Sequence, residues 1–451
     1  MRNFCLALAL ALMVCPALAA QTVPASTSSS GQQPAGSGAA PSPAATTQPA
    51  TQAKVTAYTL PPALYQKAHN LGRIYFRFRL ISFVYGLVVL WLILIWKLAP
   101  KYRDWAERFS PRRFLQSVVF SPLLLLTMAV LNLPADLYDE WISRTYGLSV
   151  QGWGLWFWDW TKGELISFVL GIILIWLLYT MVRRSARRWW FYFWLFSLPI
   201  LLLVFFVSPW IIDPLFHKFQ PLQQKDPALT ANLEQMVQRA GENIPPQRMF
   251  WMGAGEKTTE LNAYVTGFGA SKRIVIWDTT IAKMNTPQIV FTAGHEMGHY
   301  VLHHIPKLIT FFAALLFVFF YLGFQSIGSV LFRWGEKWRI RGLDDWASLP
   351  ALLFLITVFA FLANPIASAV SRHYEHQADQ YGLEVTHGLT PDTGQVTAQA
   401  FQILGEVDLA DPDPNPLDIF LFYSHPTISD RIQFSLTYDP WSRGEQGEFV
   451  K

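Results

Sequence analysis

Two histidines flank a glutamate in the stretch FTAGHEMGHYVLHH, residues 291–304. If this stretch is helical, His295 and His299 project from one face about a turn apart, so both imidazoles can bind one metal ion. Glu296 stands beside them without joining the ligand set, and its carboxylate can act on a water molecule bound to the metal. The spacing therefore predicts a zinc site with hydrolytic chemistry.

The helix that carries these residues is predicted to begin at Pro287, with Thr286 as its N-cap. The two further histidines of the stretch do not complete the site. A third histidine of the extended zinc motif would fall at position 305, which is Ile305, and His304 misses it by one residue. We interpret His303 and His304 as polar residues at a membrane interface, and we expect the third ligand to come from a separate helix.

A second polar cluster, SRHYEHQADQYG at residues 371–382, follows two apolar segments further along the chain. If it is helical, Glu375 and Asp379 lie one turn apart on one face, and His376 points away from that face. Two membrane crossings would return this cluster to the side of the histidine pair. Glu375 can then complete the zinc site, with His376 as the competing ligand and an ion pair between Glu375 and Arg372 as the alternative. Asp379 fits a supporting role, accepting a hydrogen bond from the second ring nitrogen of a liganding histidine.

The composition is that of a membrane protein. Of 451 residues, 52% are hydrophobic and only 15% are charged, which is too apolar for an ordinary soluble protein. Six apolar segments reach about 20 residues, the length that a helix needs to cross a bilayer. They are predicted at 80–99, 114–133, 165–182, 190–211, 308–332 and 350–371. We therefore expect an all-α polytopic membrane fold with a small β element. The net charge of +4 does not indicate nucleic-acid binding, because the basic residues fall in short runs beside apolar segments.

Basic residues are concentrated in three loops, which follow the first, third and fifth apolar segments. Such loops usually face the cytoplasm. The metal site would then lie on the extracytoplasmic face of a bacterial inner membrane. An apolar run within residues 1–20 has the features of a secretory signal peptide and gives the same orientation.

These patterns predict the organisation of the whole chain. Both cysteines, Cys5 and Cys15, lie in the apolar run, so its cleavage would leave no thiol for disulfides or catalysis. If the run is retained as an anchor, the number of spans becomes seven instead of six. The predicted parts are a signal peptide or anchor (1–20), a disordered linker (21–54), a membrane domain with four spans (55–211), an extracytoplasmic catalytic segment with the motif helix (212–307), a two-span hairpin (308–371) and a C-terminal segment (372–451).

Five stretches resemble, in the same order, motifs of the Ste24-type integral-membrane zinc metallopeptidases, the CaaX prenyl protease group with its bacterial relatives. They are WLFSLPILLLVFFVSPWIIDPLFHKFQPL at 194–222, NAYVTGFGASKRIVIWDT at 262–279, HEMGH at 295–299, SRHYEHQAD at 371–379 and SHPTISDRI at 424–432. The resemblance runs from about residue 60 to residue 437. It implies membrane helices that enclose a chamber, with the zinc site at one membrane face.

The resemblance also implies roles for single residues. It makes Glu375 the third zinc ligand, Asn262 a residue that binds the substrate backbone, and His425 a residue that stabilises the tetrahedral intermediate, with Arg431 ordering that region at the substrate. Without the resemblance, the residue types and their spacing give weaker evidence for these roles. Asn262 begins NAYVT, which pairs with RIVIW around a glycine-containing turn, and an exposed strand edge can hold an extended peptide. Without the family, His425 is a loop histidine before Pro426.

The expected activity is peptide-bond hydrolysis by a zinc-dependent membrane endopeptidase, with one Zn²⁺ per chain and Glu296 as the general base. The alternative is a non-catalytic metal-binding carrier or receptor. Charged residues are scarce within the predicted spans, which argues against a transport path. The expected substrates are polypeptides, either membrane-associated or unfolded envelope proteins. Prenylated cysteine termini are not expected, because prenylation belongs to cytosolic eukaryotic processing.

Overall fold

The structure is a computed structural model that describes residues 54–267 and 269–451. The predicted signal peptide at 1–20 and the predicted linker, apart from Lys54, lie outside the described residues. The described chain is mostly helical and contains one small sheet. The expectation of an all-α polytopic membrane fold with a small β element is therefore confirmed.

The N-terminal half consists of long apolar helices. Three of them are long and apolar enough to cross a bilayer, and a fourth candidate is a pair of segments, Trp189–Leu203 and Ser208–Phe216, that meet at a bend of 42°. A π-helical turn, Ser208–Ile212, lies at this bend. The helices are α1 (Pro62–Ile95), the short α2 (Leu98–Phe109), α3 (Arg113–Thr145), α4 (Trp153–Arg184), α5 (Trp189–Val207) and the single turn α6 (Asp213–Phe216).

The middle of the chain folds as a small α/β unit that ends in the motif helix. Its sheet has the order β1-β2-β4-β3, in which β2 and β4 are parallel and the other pairs are antiparallel. The elements are β1 (Lys218–Pro221), α7 (Leu222–Lys225), α8 (Pro227–Arg239), β2 (Met249–Gly253), β3 (Ala263–Thr266), β4 (Arg273–Trp277), α9 (Asp278–Lys283) and α10 (Thr286–Val301).

Two further helices long enough to cross a bilayer follow the motif helix, and short helices complete the chain. The second of the two begins in a 3₁₀ turn, Trp346–Ser348. The elements are α11 (His304–Trp334), α12 (Leu349–Thr386), α13 (Thr393–Val407), α14 (Pro416–Phe422) and α15 (Ile428–Thr437).

The three basic loops lie together at one end of the helix bundle. Arg103 in α2 donates a hydrogen bond to Asp345, which lies between α11 and α12, at 2.5 Å. Arg183 at the end of α4 donates to the backbone oxygen of Asp344 at 3.3 Å. Glu375 lies 26 residues into α12, which places it roughly 40 Å from this end at about 1.5 Å per residue. The basic loops and the second motif therefore occupy opposite ends of the bundle.

The strand pair predicted from NAYVT and RIVIW is present. β3 pairs antiparallel with β4, with Ala263 opposite Ile276 and Thr266 opposite Arg273. Gly267 follows β3 with φ of +99°, and a Cβ atom there would lie 2.3 Å from the backbone oxygen of Ser271. Only glycine fits this turn. Among the described strands, β3 lies at the edge of the sheet.

Helix α10 begins one residue away from the predicted position. Its N-cap is Asn285, whose side chain accepts a hydrogen bond from the backbone N–H of Gln288 at 3.1 Å. The Gln288 side chain accepts in return from the Asn285 backbone N–H at 2.9 Å. The prediction of Thr286 as N-cap was wrong because this reciprocal capping box uses the preceding asparagine and makes Thr286 the first helical residue.

Close packing of α10 against α12 depends on glycines. A Cβ atom at Gly294 would lie 2.9 Å from a methyl carbon of Val385, and one at Gly382 would lie 3.1 Å from the backbone nitrogen of His295. A Cβ atom at Gly298 would likewise lie 3.0 Å from Cβ of Tyr381. Because hydrogen atoms replace side chains at these positions, the two helix backbones approach closely. This approach brings the two polar motifs together.

The segment before α1 is attached to the short helix α13. Val55 donates its backbone N–H to Oε1 of Gln395 at 3.0 Å and accepts from Nε2 of the same side chain at 2.8 Å. Thr59 makes the same pair of bonds with Gln402, at 3.3 and 2.6 Å. Each glutamine side-chain amide thus pairs with both backbone groups of one residue, the N–H and the C=O, as a neighbouring β-strand would. The start of the described chain is held on the unit that follows α12.

Candidate metal centre

The structure brings together the three residues that the sequence predicts as metal ligands. Nε2 of His295 lies 3.3 Å from Nε2 of His299. Oε2 of Glu375 lies 3.3 Å from Nε2 of His295, and Oε1 lies 3.6 Å from Nε2 of His299. All three candidate ligand atoms lie within 4.8 Å of one another. Helix α10 supplies both imidazoles and α12 supplies the carboxylate, so the glycine contacts between these helices determine the size of the cluster.

The donor set fits a zinc ion. Two imidazole nitrogens and one carboxylate oxygen are a common set of protein ligands in catalytic zinc sites, where the fourth position remains open. Oε2 of Glu375 is buried and accepts no hydrogen bond of good geometry within the described chain. A buried carboxylate oxygen without such a partner is unfavourable, and a bound cation would satisfy it. His376 is not in the cluster, because its ring packs 4.3 Å from that of Phe434.

Glu296 lies beside the cluster, with Oε1 at 4.0 Å from Nε2 of His295. Burial raises the pKa of Glu296 to about 7, and the nearby charge of Glu375 adds to this effect. A carboxyl group with a pKa near neutrality can both accept and release a proton at physiological pH. The position of Glu296 therefore suits proton transfer at a metal held by the cluster.

A buried carboxylate and a buried guanidinium support His295. Nδ1 of His295 lies 2.8 Å from Oδ1 of Asp379. Arg431 donates two hydrogen bonds to Asp379, from Nε at 2.9 Å and from Nη2 at 2.6 Å. Burial by itself lowers the pKa of His295, but the carboxylates of Asp379 and Glu375 outweigh it and raise the pKa to about 10. The site therefore favours a positive charge at this imidazole, which either a proton or a metal ion can supply.

His304 lies next to His299, with 3.2 Å between their Nδ1 atoms. Its Nε2 lies 3.1 Å from Oε1 of Gln377, and its ring stacks on that of Tyr374 at 4.6 Å. The interpretation of His304 as an interface residue was wrong, because its side chain is fully buried. The chain leaves α10 through His303, which has φ of +58°, and begins α11 at His304. This break turns the imidazole of His304 back toward the cluster.

His425 approaches the cluster from the loop between α14 and α15. Its Nε2 lies 3.2 Å from Oε2 of Glu375, and burial lowers its pKa. Arg372 holds the start of this loop by donating to the backbone oxygens of Ile419 in α14 and of Tyr423, the first residue after α14, at 3.0 and 2.5 Å. The alternative in which Arg372 pairs with Glu375 is therefore wrong. Sequence reasoning did not find this role, because the partners of Arg372 are backbone atoms of a distant loop.

A cavity of about 650 Å³ opens onto the cluster. Asn262 lies at its wall, immediately before the edge strand β3, and its backbone N–H donates to Oγ1 of Thr280 at 2.8 Å. Two carboxyl groups, Glu260 and Asp408, lie on the same wall. Burial raises the pKa of Glu260 well above its usual value and that of Asp408 to about 7. Asn262 and His425 line the same cavity as the three candidate ligands, while their roles toward a substrate stay predictions.

Two sequence profiles match the chain. One, described as CAAX prenyl protease N-terminal, five membrane helices, matches residues 45–218. The other, described as Peptidase family M48, matches residues 223–437. Together they span the membrane helices α1 to α5 and the three clustered side chains.

Curated proteins and a solved structure are similar to the chain over most of its length. An uncharacterized metalloprotease, YhfN of Bacillus subtilis, is 36% identical over 342 residues, which are 76% of this chain and 78% of that protein. CAAX prenyl protease 1 of Saccharomyces cerevisiae is 26% identical over 413 residues, covering 84% and 89%. The crystal structure of S. mikatae Ste24p matches with a TM-score of 0.71 at 24% identity, over 84% of this chain and 90% of that one. The last similarity concerns the fold alone.

Proposed function

The chain belongs to peptidase family M48, and from this membership we propose that it is a zinc-dependent endopeptidase with Glu296 as its general base. That it is a multi-pass membrane metallopeptidase follows from the family and from the apolar helices. The identity of the metal and the role of Glu296 are our proposal. The observation that supports them best is the cluster of two imidazoles and one carboxylate at a cavity, with the ionisable Glu296 alongside.

His295, His299 and Glu375 would hold the zinc ion. A zinc ion held by them would supply a bound water with a pKa of roughly 7 and a Lewis acid for the scissile carbonyl. Glu296 takes a proton from the attacking water and passes it to the nitrogen of the leaving amine. The same carboxyl group must first accept and then release the proton, and the burial that raises its pKa supports the acceptance step.

Residues at the cavity wall would position the peptide. We propose that the side-chain amide of Asn262, at the start of the edge strand, binds the backbone of an extended substrate. Nε2 of His425 would donate a hydrogen bond to the oxygen that becomes negatively charged at the scissile carbon. Nδ1 of His425 lies 2.9 Å from the hydroxyl of Ser424, which can donate to it and so leave the proton on Nε2. Arg431 would order this region through Asp379, as its two hydrogen bonds to that carboxylate support.

We propose that the protein lies in a bacterial inner membrane with its catalytic face outside the cytoplasm. The basic loops, which contact one another at the opposite end of the bundle, support this orientation. The proposed substrates are membrane-associated or unfolded envelope polypeptides. A site on that face would not meet prenylated proteins, which are formed in the cytosol.

The experiment replaces Glu296 by glutamine, which keeps the size and polarity of the side chain but cannot accept the proton. Purified Glu296→Gln protein should retain about one zinc per chain by atomic emission, while cleavage of a fluorogenic peptide falls by roughly 10²–10⁴. His295→Ala and Glu375→Ala should lose the metal. Glu256→Gln, at an exposed glutamate paired with Lys218, is the matched control and should leave both quantities unchanged. Undiminished cleavage by Glu296→Gln would defeat the mechanism.

A further inference from the structure

The two histidines of the cluster differ in what lies behind them. His295 has the carboxylate of Asp379 at its Nδ1, whereas His299 has another imidazole, that of His304, at 3.2 Å. His304 in turn lies 3.1 Å from the side-chain oxygen of Gln377, on the same helix as Glu375. The described structure thus places a row of two side chains, His304 and Gln377, behind the second ligand.

The chemistry of these groups determines the direction of each hydrogen bond. If Nε2 of His299 binds a metal ion, the proton of the neutral ring must be on Nδ1, which then donates. Nδ1 of His304 must therefore accept, so its own proton is on Nε2. That nitrogen then donates to the oxygen of Gln377, which is an acceptor only. Every member of the row has one consistent role when Nε2 of His299 is free to bind the metal.

We propose that His304 is a positioning residue that holds His299 in the tautomer with its proton on Nδ1, and that Gln377 fixes the orientation of His304. The inference rests on the proposed zinc site and adds two residues to it. Outer partners of this kind orient a ligand ring and raise its basicity. A neutral imidazole accepts a hydrogen bond more weakly than a carboxylate does. His299 should therefore be the more weakly polarised of the two ligating histidines.

Packing alone is the competing explanation for the burial of His304, since its ring stacks on Tyr374. Two substitutions separate the explanations. His304→Leu fills much of the volume but provides no acceptor. His304→Asn is smaller but keeps an amide oxygen close to the position of Nδ1. If packing alone matters, leucine should be tolerated better, and if the acceptor matters, asparagine should be.

The test measures zinc dissociation constants of the full-length protein in detergent, after removal of metal, by competition with a chromophoric chelator. We expect His304→Leu to bind zinc about 10–100-fold more weakly than the unsubstituted chain, and His304→Asn to stay within about threefold of it. Equal zinc affinity of the leucine variant and the unsubstituted chain would overturn the proposal. So would an asparagine variant that binds as weakly as the leucine variant.

Substitutions at Gln377 give an independent measurement if His304→Leu does not fold. Gln377→Met removes the acceptor and should weaken zinc binding several-fold, whereas Gln377→Glu keeps an acceptor and should not. Equal affinities of these two variants would also overturn the proposal. Failure of the proposed zinc site itself has a different signature, because His299→Ala would then leave the zinc affinity of the chain unchanged.

Discussion

Replacing Arg431 by methionine should destabilise the protein and weaken its metal site together. The guanidinium of Arg431 is 7% exposed and donates two hydrogen bonds to Asp379, which is 1% exposed and lies at Nδ1 of His295. Methionine keeps an apolar stem against Phe401, whose ring lies 4.1 Å from the guanidinium carbon. The substitution therefore removes mainly the charge and its two hydrogen bonds.

The size of the effect follows from the burial of the pair. Removing one partner of a buried ion pair costs about 3–5 kcal/mol, because the other charge remains buried without compensation. In a chain of 451 residues, that loss should lower the unfolding temperature by roughly 3–5 °C. Loss of order in Asp379 should also weaken zinc binding, by about 10–100-fold, since Asp379 orients His295.

The assay combines thermal unfolding in detergent micelles with the chelator competition. Arg431→Lys is the matched control for charge, since lysine retains the positive charge but cannot make the same pair of bonds. The double variant Asp379→Asn with Arg431→Met leaves no buried charge at this position. It should recover much of the unfolding temperature lost in Arg431→Met, because the energies of residues in contact are not additive.

The scatter in unfolding temperature expected for a surface substitution is about 1–2 °C. An Arg431→Met variant that unfolds within this range of the unsubstituted chain would refute the assignment of this pair as a buried support of the metal site. A double variant that is less stable than either single variant would also refute it. If Arg431 instead acts mainly on the substrate, Arg431→Met should raise KM while the unfolding temperature and the zinc affinity remain unchanged.

Three more predictions test other parts of the structure. Gly382→Ala would place a Cβ atom 3.1 Å from the backbone of α10 and should lower the zinc affinity about tenfold. The control Gly86→Ala, whose Cβ would have no atom within 4 Å, should leave the affinity unchanged. Equal affinities of the two variants would contradict the role of the close helix approach. The pKa values of Glu260 and Asp408 are raised by burial, so the folded state binds more protons than the unfolded state, and the free energy of unfolding should fall as pH rises from about 4 to about 7. Asp408→Asn should flatten this dependence between about pH 4 and 7 in thermal unfolding, and an unchanged slope would count against it. Alkaline phosphatase fused after Lys451 should be active, and fluorescence from a cytoplasmic reporter at that point would reverse the proposed orientation.

The ligand cluster could be predicted from the sequence because the spacing within each motif determines which side chains share one face of a helix. His295 and His299 are one turn apart on any helix, and an even number of crossings returns Glu375 to the same face. The position of His304 could not be predicted, because the break before it is made by His303 in a left-handed conformation and neither glycine nor proline signals it. The signal in the sequence is a histidine five residues after the second ligand, and its spacing does not distinguish a buried partner of His299 from a residue at the membrane interface.

The start of the first membrane helix is a feature of the fold that could not be predicted from the sequence. Hydropathy predicted a span from residue 80, but α1 begins at Pro62. Polar side chains between its N-terminus and its middle contact the segment that follows α13. His69 lies 3.0 Å from Asp411, and Arg79 lies 3.0 Å from Asp418. A hydropathy window detects only the part of a helix that suits lipid. The remainder packs against partners that lie more than 300 residues away in the chain.

The attachment of Val55 to Gln395 places a parity condition on the topology. One residue precedes the first membrane helix and the other follows the last, and they share two hydrogen bonds. Both must therefore lie on the same side of the bilayer, so the chain between them crosses an even number of times. Five straight crossings cannot satisfy this condition. If the five straight helices all cross, the bent segment from Trp189 to Phe216 must also pass through the whole membrane instead of returning to the side from which it entered.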